Sequence, residues 1–193
     1  MLVLALTFAL AQAVIVDRIA VVVAGRPIKT SDVERDARIT QLLNEEPLDL
    51  SAAARKRAAE RLIDQMIIRR EIEVAGYAPA DPKDAARLLA ELKKQRPNLQ
   101  AALKRFAVTE ERLRAQLQWQ LTVLQFIEQR FRPGVLITDE EIQLQAGARP
   151  LTPALRRGIE DKIAGERVNE QFDAWLKQAR EQLNPEFMAG ALQ

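Results

Sequence analysis

The chain has 193 residues, of which 48% are apolar, so it is long and apolar enough to form a buried core. It has 29 Lys and Arg against 27 Asp and Glu, which gives a net charge of +2. The chain therefore lacks the strong basic excess of nucleic-acid-binding domains. Cysteine and histidine are both absent, which excludes disulfides, thiolate nucleophiles, Cys/His zinc sites and histidine-based triads. We therefore expect no nucleic-acid partner, no metal and no cofactor.

The first residues, MLVLALTFALAQA, form an apolar run that ends in the small residues Ala11 and Ala13. This pattern predicts a secretory signal peptide over residues 1–13 and hence a periplasmic protein. No Lys or Arg precedes the run, so the positive charge would come from the amine of Met1 or from residues upstream. The alternative is a buried N-terminal strand. The run is too short to cross a bilayer as a helix, so we expect no stable membrane insertion.

A β-hairpin is predicted next, because residues 14–23 (VIVDRIAVVV) are rich in β-branched side chains. A turn then leads into a short second strand at residues 28–30. Ser31 and Glu34 have the spacing of a capping box, in which a hydroxyl and a carboxylate each accept from a backbone amide of the first helical turn. They predict a helix that ends near Asn44.

The middle of the chain predicts three further helices from their end signals. Ser51 can cap a helix over residues 52–75, and Gly76 can end it in a left-handed conformation. Asp81–Pro82 is the pair of residues typical of a helix start. Asn98 predicts the cap of a short helix after that one.

A long central helix is predicted from Thr109 to Phe131, with an apolar stripe at helical spacing. Trp119 and Phe126 lie off that stripe. An aromatic residue at the edge of a stripe belongs either to the core or to a groove that binds apolar side chains, and both readings stay open here. The stripe comprises Leu113, Leu117, Leu121, Leu124 and Phe131.

The C-terminal part begins with a joint. Pro133–Gly134 ends the central helix, and residues 135–137 are extended. Thr138 and Glu141 form a capping box that opens a helix of about two turns. A last long helix then runs over residues 153–183, followed by a short closing strand. These elements predict a mainly α fold, a bundle-like single domain with a short N-terminal hairpin and a long C-terminal helix that packs back on the N-terminal module.

No catalytic constellation is visible. The acidic pairs, such as Glu110–Glu111, are typical of helix first turns, where carboxylates interact favourably with the positive end of the helix dipole. The basic runs at residues 55–57 and Arg69–Arg70 are followed by acidic residues within about one turn, which favours solvated helix faces over a nucleic-acid patch. We expect the chain not to be an enzyme.

Several segments resemble the SurA-type periplasmic chaperones. Residues 16–36 are similar to that family's opening hairpin and first helix, and residues 58–76 to its second helix with the LID core. Residues 113–142 resemble the end of its N-terminal module, and residues 166–180 its returning C-terminal helix. The resemblance implies a chaperone domain over residues 14–193, with an N-terminal module at 14–145 and the returning helix at 151–187.

The departure from that family lies at the joint. The family usually carries a parvulin prolyl-isomerase domain between the two halves, and parvulin catalysis depends on His and other polar residues. Here the connector is only residues 143–150, and the chain has no His. The resemblance therefore implies the chaperone module without the isomerase.

We thus expect an ATP-independent holdase that binds unfolded outer-membrane or secreted proteins in apolar grooves between helices. The alternatives are an interaction module that binds one dedicated partner or forms a homodimer, and, less favoured, a prolyl isomerase. The candidate groove residues are Leu42, Leu43, Met66, Trp119 and Phe126.

Overall fold

The computed structural model describes residues 17–193. The predicted signal peptide and the first residues of the predicted hairpin lie outside these residues. Within them the chain forms seven α-helices and a small antiparallel sheet, which confirms the mainly α fold with an N-terminal hairpin. The helices are α1 (Thr30–Leu43), α2 (Ala52–Ala75), α3 (Pro82–Gln95), α4 (Leu99–Phe106), α5 (Glu110–Phe131), α6 (Asp139–Ala146) and α7 (Pro153–Leu183).

The sheet brings the two ends of the described chain together. Strand β1 (Ile19–Val23) lies in the middle, with β2 (Arg26–Lys29) on one side and β3 (Glu186–Phe187) on the other. Both pairings are antiparallel. The turn between β1 and β2 has positive φ at Ala24 and Gly25, as a tight hairpin turn requires.

The start of α1 corrects one prediction. The helix begins at Thr30, and the carboxylate of Asp32 accepts from the backbone amide of Lys29 at 3.2 Å. Ser31 forms no capping box with Glu34. Its amide and hydroxyl both donate to the carboxylate of Asp17, at 3.2 and 2.5 Å.

The ends of α2 and α3 confirm the predicted signals. The Ser51 side chain accepts from the amide of Ala54, and Gly76 ends α2 with φ of +73°. Asp81 caps α3 with Pro82 in its first turn. Asn98 precedes α4 as predicted, but its side chain forms no cap hydrogen bond.

The long α7 unites the bundle. It packs against α2, α5 and α6, so the C-terminal helix does return onto the N-terminal helices. The capping box of Thr138 and Glu141 at the start of α6 is confirmed. Ile142 of α6 and Ile159 of α7 belong to one small buried cluster, which holds the two helices together across the short connector.

Candidate functional site

The surface between α2 and α5 is the most distinctive of the fold. Helix α5 packs mainly against α3 and α7, whereas α2 packs mainly against α1 and α7. The two helices meet where Ile68 of α2 packs in one buried cluster with Trp119 of α5. The side chain of Trp119 is 9% exposed and borders three adjoining clefts.

The three clefts together form the groove described below as the Trp119 groove. The first, the charged cleft, has a volume of about 340 Å³ and is lined by charged side chains together with Ile39, Leu62 and Met66. The second, the tyrosine cleft, has about 510 Å³ and includes Tyr77 and Pro79. The third, the apolar cleft, has about 560 Å³ and is lined by Ile68, Trp119, Val123, Leu124, Phe172 and Leu176 with polar residues at its rim.

The clefts are continuous through shared residues. The charged cleft shares Gln65 and Gln116 with the apolar cleft, and it shares Arg69 and Ala115 with the tyrosine cleft. Trp119 belongs to all three. An extended chain could therefore run past Trp119 and place successive side chains in neighbouring clefts.

Leu124 supplies exposed apolar surface beside Trp119. It is 60% exposed and lines the apolar cleft, where Phe172 and Leu176 of α7 form the opposite wall. The sequence stripe had placed Leu124 on the buried face of α5, and this is wrong. The buried positions from Trp119 onward are Trp119, Thr122, Phe126 and Phe131, of which only Phe131 belongs to the stripe.

The shift of the buried face has a structural cause. Leu113 and Leu117 in the first half of α5 pack in a cluster with residues of α1, α3 and α4. Trp119 and Phe126 pack in another cluster, with Ile68 of α2 and Val168 of α7. Because the helix faces different partners along its length, one stripe does not describe both halves.

Thr122 and Gln118 hold the α2–α3 connection against α5. The Thr122 hydroxyl accepts from the amide of Ala80 at 3.0 Å and donates to the carbonyl of Gln118 at 2.9 Å. The Gln118 side chain donates to the carbonyl of Ala80 at 3.0 Å. These bonds satisfy the polar groups of a buried backbone segment and fix the wall of the tyrosine cleft.

A buried carboxylate forms part of the charged cleft. Asp36 accepts from Arg61 at 2.9 Å and from the Gln65 amide at 3.1 Å. Burial raises the pKa of Asp36, and the charge and hydrogen bonds of Arg61 and Gln65 oppose that rise. The second carboxylate of this cleft, Asp32, is paired with Arg35 at 2.7 Å.

Arg69 lies over the indole of Trp119, with 3.7 Å between the guanidinium carbon and the ring centroid. This is cation–π geometry, in which the charge lies over the electron-rich face of the ring. Burial lowers the pKa of Arg69, and the charge of Glu73 one turn further along α2 raises it. Arg69 also lines both the charged cleft and the tyrosine cleft, at the edge that the two clefts share.

The predicted groove residues divide into two groups. Met66 is partly buried and lines the charged cleft together with Trp119. Leu42 and Leu43 instead pack in the cluster between α1, α3 and α4, with Leu42 only 3% exposed. Phe126 is 1% exposed, which is the core position that the sequence had left open as the alternative to a groove position.

Phe126 is the centre of an aromatic cluster beneath the groove. Its ring lies 5.3 Å from that of Tyr77, 6.0 Å from that of Phe131 and 5.6 Å from that of Trp175, measured between centroids. Trp175 is partly buried there and contacts Phe172 as well. The cluster joins α5 to α7 and supports the floor of the apolar cleft.

Within residues 17–193, the Asp and Glu side chains form no group of three that could hold a metal ion. None of the described helices combines the length and apolar character needed to cross a membrane.

Comparison with known proteins gave no match, either to a protein-family model or to a curated protein. The site is therefore interpreted from its own geometry. Sequence reasoning found Trp119 and Met66 but missed Arg69 and Leu124. Arg69 was read as part of a solvated basic run, and only its position relative to Trp119 distinguishes it from Arg70.

Proposed function

We propose that the protein is an ATP-independent holdase that binds apolar segments of unfolded polypeptides in the Trp119 groove. The observation that carries this proposal is the exposed Leu124 next to Trp119 in a cleft with apolar walls. Exposed apolar surface of this kind, rimmed by polar side chains, is typical of interaction sites. The volumes of the three clefts lie within the range of about 300–1,000 Å³ common for ligand pockets.

The shape of the groove favours weak binding of many sequences. Its clefts are open and adjoin one another, so no single side chain of the client has to fit a closed pocket. Met66 at the charged cleft has a flexible, polarisable side chain that adapts to different neighbours. Sites that must accept many sequences commonly use such adaptable apolar surfaces.

The client class and the location are further parts of the proposal. The resemblance to SurA-type chaperones favours unfolded outer-membrane or secreted proteins as clients. The signal-like residues 1–13 favour the periplasm. Without His, the chain lacks the imidazole on which parvulin catalysis depends, and for that reason isomerase activity is not part of the proposal.

The test is an aggregation assay with residues 14–193. A urea-unfolded outer-membrane barrel protein is diluted into buffer with and without the purified protein, and light scattering is followed. We expect the wild type to slow aggregation. Leu124→Ser should weaken this effect, because it replaces the exposed apolar surface of the apolar cleft with a hydroxyl.

The matched control is Leu144→Ser, which makes the same chemical change at an exposed position on α6, outside the three clefts. It should keep the holding effect. A wild type that leaves aggregation unchanged would rule out the holdase. Equal losses in the two variants would show that holding does not depend on the Trp119 groove.

A second candidate, an interaction module for one dedicated partner or a second copy, is favoured by a different observation. Leu136 and Leu144, at the joint and on α6, are 82% and 83% exposed. They lie away from the Trp119 groove, so the variants above separate the two functions. Loss of a stoichiometric complex in Leu144→Ser, measured by sedimentation, would support this second function.

A further inference from the structure

We propose that the charged cleft binds a side-chain carboxylate, so that the preferred clients carry an Asp or Glu close to an apolar residue. This proposal rests on the proposed function, because it assigns a substrate class to the same groove. It follows because both carboxylates that line the cleft have cationic partners, whereas two of its arginines have no carboxylate partner.

Both carboxylates of the charged cleft already have cationic partners. Asp32 is paired with Arg35 at 2.7 Å, and Asp36 is paired with Arg61 at 2.7 Å. Asp36 also accepts a hydrogen bond from Gln65. These two acidic groups are therefore satisfied within the protein and offer little attraction to a further cation.

The two other cations of the cleft, Arg69 and Arg112, are not paired in this way. Within residues 17–193, neither guanidinium has a carboxylate oxygen within 4.0 Å. The close partner of Arg69 is the face of the Trp119 ring, and Glu73 acts on it only from beyond contact distance. Arg69 is an exposed residue, so its guanidinium is accessible to a bound carboxylate.

The placement of the two arginines suits a bound peptide. Arg69 belongs to α2 and Arg112 to α5, so they border the charged cleft from its two sides. Arg112 and Trp119 are seven residues apart on one helix, which is about 10 Å, or about three residues of an extended chain. A carboxylate at Arg112 thus leaves an apolar side chain within about three residues to reach Trp119 and Arg69.

The adjacency of the clefts favours a side chain over a chain end as the source of the carboxylate. The charged cleft borders the apolar cleft at Gln116 and the tyrosine cleft at Ala115. A segment can therefore continue on both sides of Trp119. Guanidinium groups bind carboxylates through paired, charge-assisted hydrogen bonds, which neutral side chains cannot match.

The experiment compares two short peptides with blocked termini by fluorescence anisotropy. Both contain Phe and Leu, and three residues before the Phe one has Glu and the other Gln. We expect the Glu peptide to bind the wild type about fivefold more tightly at low salt. Arg69→Gln and Arg112→Gln should each reduce this ratio, which is measured between the two peptides within each variant.

The controls are Arg70→Gln and Arg114→Gln, which remove the same charge from the same two helices outside the charged cleft. Both should keep the wild-type ratio, and thermal unfolding would check that all four variants fold. Equal affinity of the wild type for both peptides would overturn the inference and leave the holdase standing. The inference would also be overturned if the control variants lowered the ratio as much as the cleft variants do.

A third peptide, with Gln and a free C-terminus, tests the other source of a carboxylate. Tighter binding of this peptide than of the Glu peptide would overturn the preference for side chains. Failure of the blocked Gln peptide to bind at all would count against the proposed function itself, and the inference would fall with it.

Discussion

The guanidinium of Arg69 stacks on the ring of Trp119, and this contact joins α2 to α5. Both residues border the same clefts, so the contact shapes the groove at the point where its parts meet. A cation over an indole at a partly exposed site contributes about 0.5–1 kcal/mol. The contact is therefore strong enough to orient Trp119 and weak enough for Arg69 to remain available to a ligand.

A double-mutant cycle of Arg69→Gln with Trp119→Leu, which removes the aromatic face, should measure this coupling. We expect a coupling free energy of about 0.5–1 kcal/mol in urea unfolding, because a Gln side chain has no charge to place over the ring. The same cycle with Arg70→Gln serves as control, since no cation–π contact joins Arg70 to Trp119. A coupling in that control as large as in the first cycle would contradict the assignment.

The pair of Asp36 and Arg61 predicts a pH-dependent loss of stability. Arg61→Met leaves the Asp36 carboxylate buried without its cation, which should lower the free energy of unfolding by about 2 kcal/mol at pH 7. The pKa of Asp36, already raised by burial, should rise further because the opposing effect of Arg61 is gone.

The sign of the pH effect follows from this rise. Above the unfolded-state pKa of about 3.9, the unfolded chain releases a proton that native Asp36 retains, so stability falls as pH increases through the native pKa. The deficit of Arg61→Met should therefore be smallest near about pH 4 and grow toward neutral pH. Adding Asp36→Asn should remove the pH dependence of this deficit. A deficit of Arg61→Met that is the same at pH 4 as at pH 7 would contradict the prediction.

The parts of the fold that the sequence predicted depend on local signals. Ser51 and Gly76 give the ends of α2, and Thr138 with Glu141 gives the start of α6, because each bond joins residues within one turn. The predicted capping box of Ser31 does not form because the Ser31 side chain donates to Asp17, fourteen residues away on the far side of the hairpin. Short-range spacing carries no information about such a contact.

The site was only partly predictable for the same reason. Trp119 could be recognised as an aromatic residue at the edge of a stripe, but Leu124 was placed on the buried face, and core and groove were both left open for Phe126. Which of them is buried depends on where α7 crosses α5, and that contact joins segments distant in the sequence. Arg69 and Arg70 look alike in the sequence, and only the position of Trp119 distinguishes them.

The burial of Phe126 predicts a large cost of truncation. Phe126→Ala should lower the free energy of unfolding by about 4 kcal/mol, since it removes the ring at the centre of the aromatic cluster and leaves a cavity. Leu124→Ala, two residues earlier on the same helix, should cost less than about 1 kcal/mol because its side chain is 60% exposed. Urea unfolding of both variants checks the assignment, which similar costs would contradict.

The short connector between α6 and α7 predicts that this point tolerates an insertion. A Gly/Ser segment of about twelve residues between Arg149 and Pro150 should lower stability by only about 1 kcal/mol, since loop closure depends weakly on length. Arg149 contacts the last carbonyls of α6, and the Thr152 hydroxyl caps α7, so both helix ends keep their bonds.

The contacts between α6 and α7 explain why the insertion should leave their packing intact. Ile142 and Ile159 share a buried cluster, and Arg167 is paired with Glu141, so the two helices are held together independently of the connector. The same segment inserted after Gly158, inside α7, should separate these contacts and cause a far larger loss of helicity and stability. Circular dichroism and urea unfolding compare the two, and equal losses would show that the short connector itself is required for the fold.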